Sequence, residues 1–353
     1  MPGNDLDLIG HPLFQLNLML FLSLDIDVDS GIFPLLKNAG YSGLRIERNL
    51  PIPPDVRKTI GERIGRCNEV VAPDVLLEHN ESNTFVPIEC KRSYSSLKVD
   101  QTLGLLALNG VTMASLQGKP PGEAWNTTVT FLSTQNSGAP ILDELQRLSN
   151  RIREDARLVP ANACSLELTL QPDGVYMQEM PGSTSLPGVN FSHPVPVLSI
   201  APGFDLRPLY LLPYVSKSPS EYEPFAAEEF REQLKLGAVA MLRDIGDEGY
   251  EYPLDDLIAG VILVWDVWEN RLNKRAIRVY VRDVLRGFFR DLERATGIKC
   301  SVNNDRIIVP PVDYNRIRSI RRYLQRKAVR EQELGVIQKQ FDTSTPDEDA
   351  TPE

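Results

Sequence analysis

An aspartate, a glutamate and a lysine stand in two strand-like runs of this chain: Asp74 in Ala72-Pro73-Asp74-Val75-Leu76-Leu77, and Glu89 and Lys91 in Phe85-Val86-Pro87-Ile88-Glu89-Cys90-Lys91. Side chains alternate across a strand, so Glu89 and Lys91 emerge on one face about 6.5 Å apart, while Cys90 points the other way into the packing. Fourteen residues lie between Asp74 and Glu89, enough for one strand to run out and a second to return beside it. Two carboxylates held close repel when both are ionised and are stable with a cation between them; hard oxygen ligands select Mg²⁺ or Mn²⁺. The backbone carbonyl of Cys90 is a further candidate oxygen. A divalent cation beside a lysine is the layout for hydrolysing phosphodiesters.

The elements that must position these groups are readable nearby. Val70, Val71 and Val75 to Leu77 are strand formers, Glu78-His79-Asn80-Glu81-Ser82-Asn83 is a polar turn cluster, and Phe85 to Ile88 is strand-like again, which predicts a hairpin. Before it, residues 53–66 open on two prolines and carry apolar side chains at 56, 60 and 64, a helical stripe. After it, Val99 to Leu116 fits a helix, with Asp100 early for the dipole, and Thr127 to Leu132 fits a strand.

Pro73-Asp74, the fourteen-residue gap and Glu89-Cys90-Lys91 resemble the signature of the PD-(D/E)XK phosphodiesterase superfamily, the restriction-endonuclease-like nucleases, over about residues 40 to 135. The resemblance implies a restriction-endonuclease-like mixed sheet flanked by helices. It makes Asp74 and Glu89 metal ligands, with the Cys90 carbonyl a third, and Lys91 the cation that orients the attacking water and stabilises the scissile phosphate. The family often adds an acid from a preceding helix, for which Glu62 is the nearest candidate and Glu47 the runner-up. One subgroup carries a glutamine and a tyrosine four residues apart on the following helix; here Gln101 is present but Leu105 replaces the tyrosine. A surface ion pair is the bland alternative for Glu89 and Lys91.

At 353 residues and 42% hydrophobic content, the chain can bury one full core and more. Cys67, Cys90, Cys164 and Cys300 are scattered without a C-x-x-C and read as reduced core thiols; His11, His79 and His193 are equally dispersed, and His79 is read as a loop residue. The apolar run at residues 12–23 is too short to span a bilayer and follows acidic Asp5 and Asp7, so it is read as a buried helix or strand, and the protein as cytoplasmic with no membrane partner.

The net charge of −10 hides an uneven distribution: residues 271–330 carry 17 Lys and Arg against 5 Asp and Glu. There Arg278, Arg282, Arg286 and Arg290 recur along one side of a helix opposite Ile277, Val281, Leu285 and Phe288. A hairpin about Asn303-Asn304-Asp305 follows, then a second basic helix with Arg321 and Arg322. These arginines are candidate phosphate contacts, the alternative being a solvated face paired with acidic groups.

Strands are expected over 165–170, 175–180, 195–200 and 209–215, helices over 225–242 and 254–268, with Trp265 and Trp268 packing in the core. The expected organisation is α/β: a nuclease domain over 1–158, a β-rich segment over 159–220 or an extension of the nuclease sheet, a basic helical region over 221–340, and a disordered acidic tail over 341–353. The expected function is a Mg²⁺- or Mn²⁺-dependent nuclease, endonuclease favoured, with DNA preferred to RNA, as a homodimer or with a partner subunit, in restriction, antiviral defence or repair. The competing readings are a vestigial nuclease-like protein that binds nucleic acid or a partner subunit through its arginines, and an acidic scaffold whose charged helices drive self-assembly.

Overall fold

The computed structural model describes residues 8–25, 32–199, 211–213, 223–243, 248–313, 316–320 and 322–323. The expected acidic tail, Arg321 and most of the expected strand at 209–215 lie outside these residues.

The chain forms two compact units, the first from Met1–Leu212 with Asp266–Lys274, the second from Pro213–Trp265 with Arg275–Glu353. The first unit is mixed α/β. Helix α1 (Pro12–Ser23) and the single turn α2 (Leu35–Asn38) lead into β1 (Tyr41–Ile46); β2 (Leu50–Pro51), α3 (Pro54–Arg63) and β3 (Val70–Val71) precede the hairpin β4 (Val75–His79) and β5 (Thr84–Cys90). Then come α4 (Val99–Ala107), α5 (Gly110–Leu116), β6 (Asn126–Thr134), α6 (Gly138–Glu154), β7 (Asn162–Gln171), β8 (Gly174–Glu179) and β9 (Val195–Ser199).

Seven strands form one sheet in the order β1-β4-β5-β6-β7-β8-β9. It is mixed: β1, β4 and β5 are antiparallel, β5, β6 and β7 parallel, and β8 and β9 antiparallel again. The strands expected over 165–170, 175–180 and 195–200 thus fall in β7, β8 and β9 of the sheet that carries the hairpin. One core is built from Leu76, Phe85, Val129 and Phe131 of the sheet against Leu103, Leu106, Ile141, Leu145 and Leu148 of α4 and α6. Helix α1 is buried from Leu13 through Ser23, so it has no solvated face; its polar side chains bond backbone instead, as when Asn17 accepts from the N–H groups of Leu211 and Leu212.

The helix expected over Val99 to Leu116 is two helices. The first ends at Ala107, and Asn109 caps the second, its Oδ1 accepting from Thr112 N at 3.0 Å. Gly110 lies so close to the next strand that a Cβ there would stand 1.7 Å from the Trp125 carbonyl oxygen.

The second unit holds α7 (Glu223–Arg243), β10 (Tyr250–Pro253), α8 (Leu254–Val261), most of α9 (Arg271–Thr296), β11 (Ser301–Asn303) and β12 (Arg306–Val309), with strand order β10-β12-β11. The helix expected over 254–268 ends at Val261, and Trp265 and Trp268 are buried. Asn304 takes the left-handed conformation at the tip of the β11–β12 hairpin, φ 53°.

Candidate active site

The β4–β5 ladder pairs Val75 with Ile88 and Leu77 with Val86. Asp74 immediately precedes Val75 and Glu89 immediately follows Ile88, and Asp74 Oδ2 accepts from the Cys90 N–H at 2.7 Å. Glu89 shares the alternation of Phe85, so it faces α4 rather than α1. From α4, Gln101 Nε2 donates to Glu89 Oε1 at 2.8 Å, and Lys91 Nζ donates to Glu89 Oε2 at 2.7 Å. Glu89 is 2% exposed and the Lys91 side chain 14%, so this is a buried ion pair and not the surface pair of the bland reading. On the opposite side Gln15 of α1, within the apolar run, donates through Nε2 to the carbonyls of Ile9 and Lys91 and fixes the strand end.

The electrostatics follow from burial and crowding. Burial pushes the Glu89 carboxyl up to about 8, helped by Asp74 and opposed by Lys91 and Gln101. Asp74 is raised to about 6 by burial and by Glu47, against the Cys90 hydrogen bond and the Lys91 charge. For Lys91, burial works against the ammonium, but Glu89 and Asp74 outweigh it and hold its pKa above the ordinary value. One lysine therefore does not neutralise the carboxylates gathered here, and a hard divalent cation suits the excess negative charge. Asp74, Glu89 and the Cys90 carbonyl are the oxygens that would hold it. No group of three or more His, Cys, Asp or Glu side chains is preassembled for a metal among the described residues, and both Glu89 oxygens already accept hydrogen bonds.

The two candidates for a further acid separate. Glu62 lies on the outer side of α3, its side chain 62% exposed, with Lys58 at 4.0 Å as its ion-pair partner; none of the hydrogen bonds or ion pairs joins it to Asp74, Glu89 or Lys91. The apolar stripe of α3 turns Ile60 into the core and leaves the polar face outside. Glu47 follows β1, donates its N–H to the Asp74 carbonyl at 3.2 Å and acts electrostatically on Asp74. Trp268 Nε1 and Asn273 Nδ2 donate to its carboxylate at 2.6 and 2.8 Å. Sequence reading had no signal for these two donors, which lie 221 and 226 residues away.

His79 is buried at the far end of β4, where Nδ1 meets Ser82 Oγ and Nε2 meets the Ala39 carbonyl, each at 2.8 Å. In the second unit, Arg278 bonds Asp255 through two nitrogens at 2.7 Å, Arg282 meets Asp305 at 2.9 Å and Arg286 meets Asp283 at 3.1 Å. Arg290 and Arg322 are exposed, and Arg290 forms none of the ion pairs found among the described residues. No described helix is long and apolar enough to cross a membrane. No protein-family model, curated protein or solved structure matches this chain.

Proposed function

We propose that this protein is a divalent-metal-dependent nuclease of the restriction-endonuclease-like kind, hydrolysing phosphodiester bonds at the open end of the β4–β5 hairpin. The observation that carries the reading is Asp74 and Glu89 flanking the Val75–Ile88 pair, with Asp74 Oδ2 on the Cys90 N–H and Lys91 Nζ on the Glu89 carboxylate. When bound, Mg²⁺ or Mn²⁺ supplies charge neutralisation for the phosphoryl oxygens and makes water a better nucleophile. Asp74 is pinned by the Cys90 N–H, which leaves Oδ1 for the cation. Gln101 and Lys91 hold Glu89 in one rotamer, so little reorganisation is needed when substrate arrives. Lys91 carries the positive charge that meets the scissile phosphate.

DNA is the favoured substrate, and the exposed arginines of α9 are the groups proposed to meet its backbone. Arg278 and Arg282 contribute less to that surface, because their charges are already matched by Asp255 and Asp305. A host-defence or repair role is proposed from the nuclease reading alone. The second reading, a nuclease-like protein that binds without cutting, is favoured by the hydrogen bonds that close both Glu89 oxygens.

The test is incubation of purified protein with plasmid, linear duplex, single-stranded DNA and RNA, in Mg²⁺, Mn²⁺ or EDTA. Cutting that needs the metal supports the nuclease and identifies its substrate. Binding of nucleic acid with no cutting in either metal favours the second reading.

A further inference from the structure

Five described residues other than glycine have positive φ: Glu47, Asn83, Asn136, Arg157 and Asn304. Three are asparagines, which adopt the left-handed region readily; a glutamate at φ 50° is there at a cost of about 1 kcal/mol or more. What holds Glu47 in that pose is visible. Its N–H is tied to the Asp74 carbonyl, and its carboxylate accepts from Trp268 Nε1 at 2.6 Å and from Asn273 Nδ2 at 2.8 and 3.1 Å.

Both donors belong to Asp266–Lys274, the stretch of chain that returns to the first unit. This stretch docks along the outer edge of β1. Ile46 N donates to Val267 O and Glu269 N to Ile46 O, both at 2.9 Å, and Ile46 and Trp268 form a parallel bridge. Glu269 also meets Arg48 at 2.6 Å and Arg45 at 3.4 Å. Two backbone hydrogen bonds and two ion pairs are ample to cover a sheet edge. They do not account for a charged side chain that acts electrostatically on Asp74 from a costly backbone conformation, its two oxygens held by Trp268 and Asn273. A carboxylate so held keeps its charge in one place, as the hydrogen-bonded partners of ligating residues do at metal sites.

We propose that Trp268 and Asn273 are positioning residues of the candidate active site: they fix the Glu47 carboxylate as a third negative charge beside Asp74 and so raise the affinity of the site for a divalent cation. This rests on the metal-dependent reading above. A segment more than 200 residues downstream of Glu47 then completes the site. The chain over Asp266–Lys274 is part of the catalytic unit, not a connector between units.

The experiment is a double-mutant cycle read as Mn²⁺ affinity of the full-length protein, with thermal stability measured on each sample. Asn273→Ala should weaken Mn²⁺ binding about tenfold or more when Glu47 is present. In the Glu47→Gln background, where no charge remains to be positioned, the same substitution should change affinity by less than about twofold. Trp268→Phe keeps the buried ring, loses the N–H donor, and should repeat the pattern if Asn273→Ala folds poorly. An equal effect of Asn273→Ala in both backgrounds, or none in either, overturns the proposal and leaves the segment a structural edge cover. Asp74→Ala separates the two levels: wild-type protein that binds no Mn²⁺, or binds it as well without Asp74, refutes the metal site itself and this inference with it.

Discussion

Asp74 Oδ2 accepts the N–H of Cys90, the residue after Glu89, at 2.7 Å, just beyond the Val75–Ile88 pair of the β4–β5 ladder. That bond puts the carboxylates of Asp74 and Glu89 at one end of the sheet, where Lys91 pairs with Glu89. Neither acid can be ionised without the other feeling it, and both are pushed above their ordinary pKa.

The first consequence concerns stability and pH. Asp74 binds its proton more tightly folded, with a pKa of about 6, than unfolded. Its contribution to stability is therefore fully present below the unfolded carboxylate range and is lost as pH rises through about 6. Glu89 behaves likewise up to about 8. Metal-free protein should lose thermal stability between about pH 4 and pH 8, and Asp74→Asn should be more stable than wild type at pH 8, by about 1–2 kcal/mol. Melting curves in EDTA across that range check it, and a flat profile for wild type would refute it.

Lys91→Ala should lower cleavage by about 10²-fold or more, since it removes the positive charge beside the reacting phosphate. Its fold should survive, because Glu89, already raised, takes up a proton rather than standing as a lone buried anion. Single-turnover rates beside melting temperatures separate lost chemistry from lost structure.

Gln101→Ala releases Glu89 Oε1 without changing charge. A fall of about tenfold in rate or in Mn²⁺ affinity is expected, with little change in stability. Kinetics at saturating and limiting Mn²⁺ distinguish the two effects.

The arginines of α9 should divide into two groups. Arg278→Ala breaks a two-nitrogen pair with Asp255 and a stacking contact 5.2 Å from the Trp265 ring, and should cost about 1 kcal/mol of stability. Arg290→Glu should leave stability unchanged and lower the salt slope of DNA binding by about one. Denaturation curves and affinities over a salt series measure both.

The hairpin was readable because its signals are local: period-two alternation on both sides of a polar turn, with the Asp74-to-Glu89 spacing setting the register. The break inside the helix after it was also local, in Leu108-Asn109-Gly110, but the apolar residues on both sides outweighed it. Sequence favours Glu62 because it sits on a helix just ahead of the hairpin. Its place on the exposed polar face depends on which side of α3 meets the core, and Ile60 decides that in three dimensions. From sequence Glu47 ranks only as runner-up, since its position depends on a left-handed backbone and on Trp268 and Asn273, more than 200 residues away. The arginine stripe was correctly periodic, yet the acids that meet it come from α8, from Asp305 ahead of β12 and from α9 itself, and periodicity says nothing of partners.

The most direct test of the central claim is conversion of supercoiled plasmid in Mn²⁺ by wild type, Asp74→Ala and Lys91→Ala side by side, with an EDTA control. Cutting by wild type alone, abolished by EDTA, is the predicted result. Equal cutting by all three proteins, or cutting that survives EDTA, would contradict it and move the chemistry away from the β4–β5 hairpin.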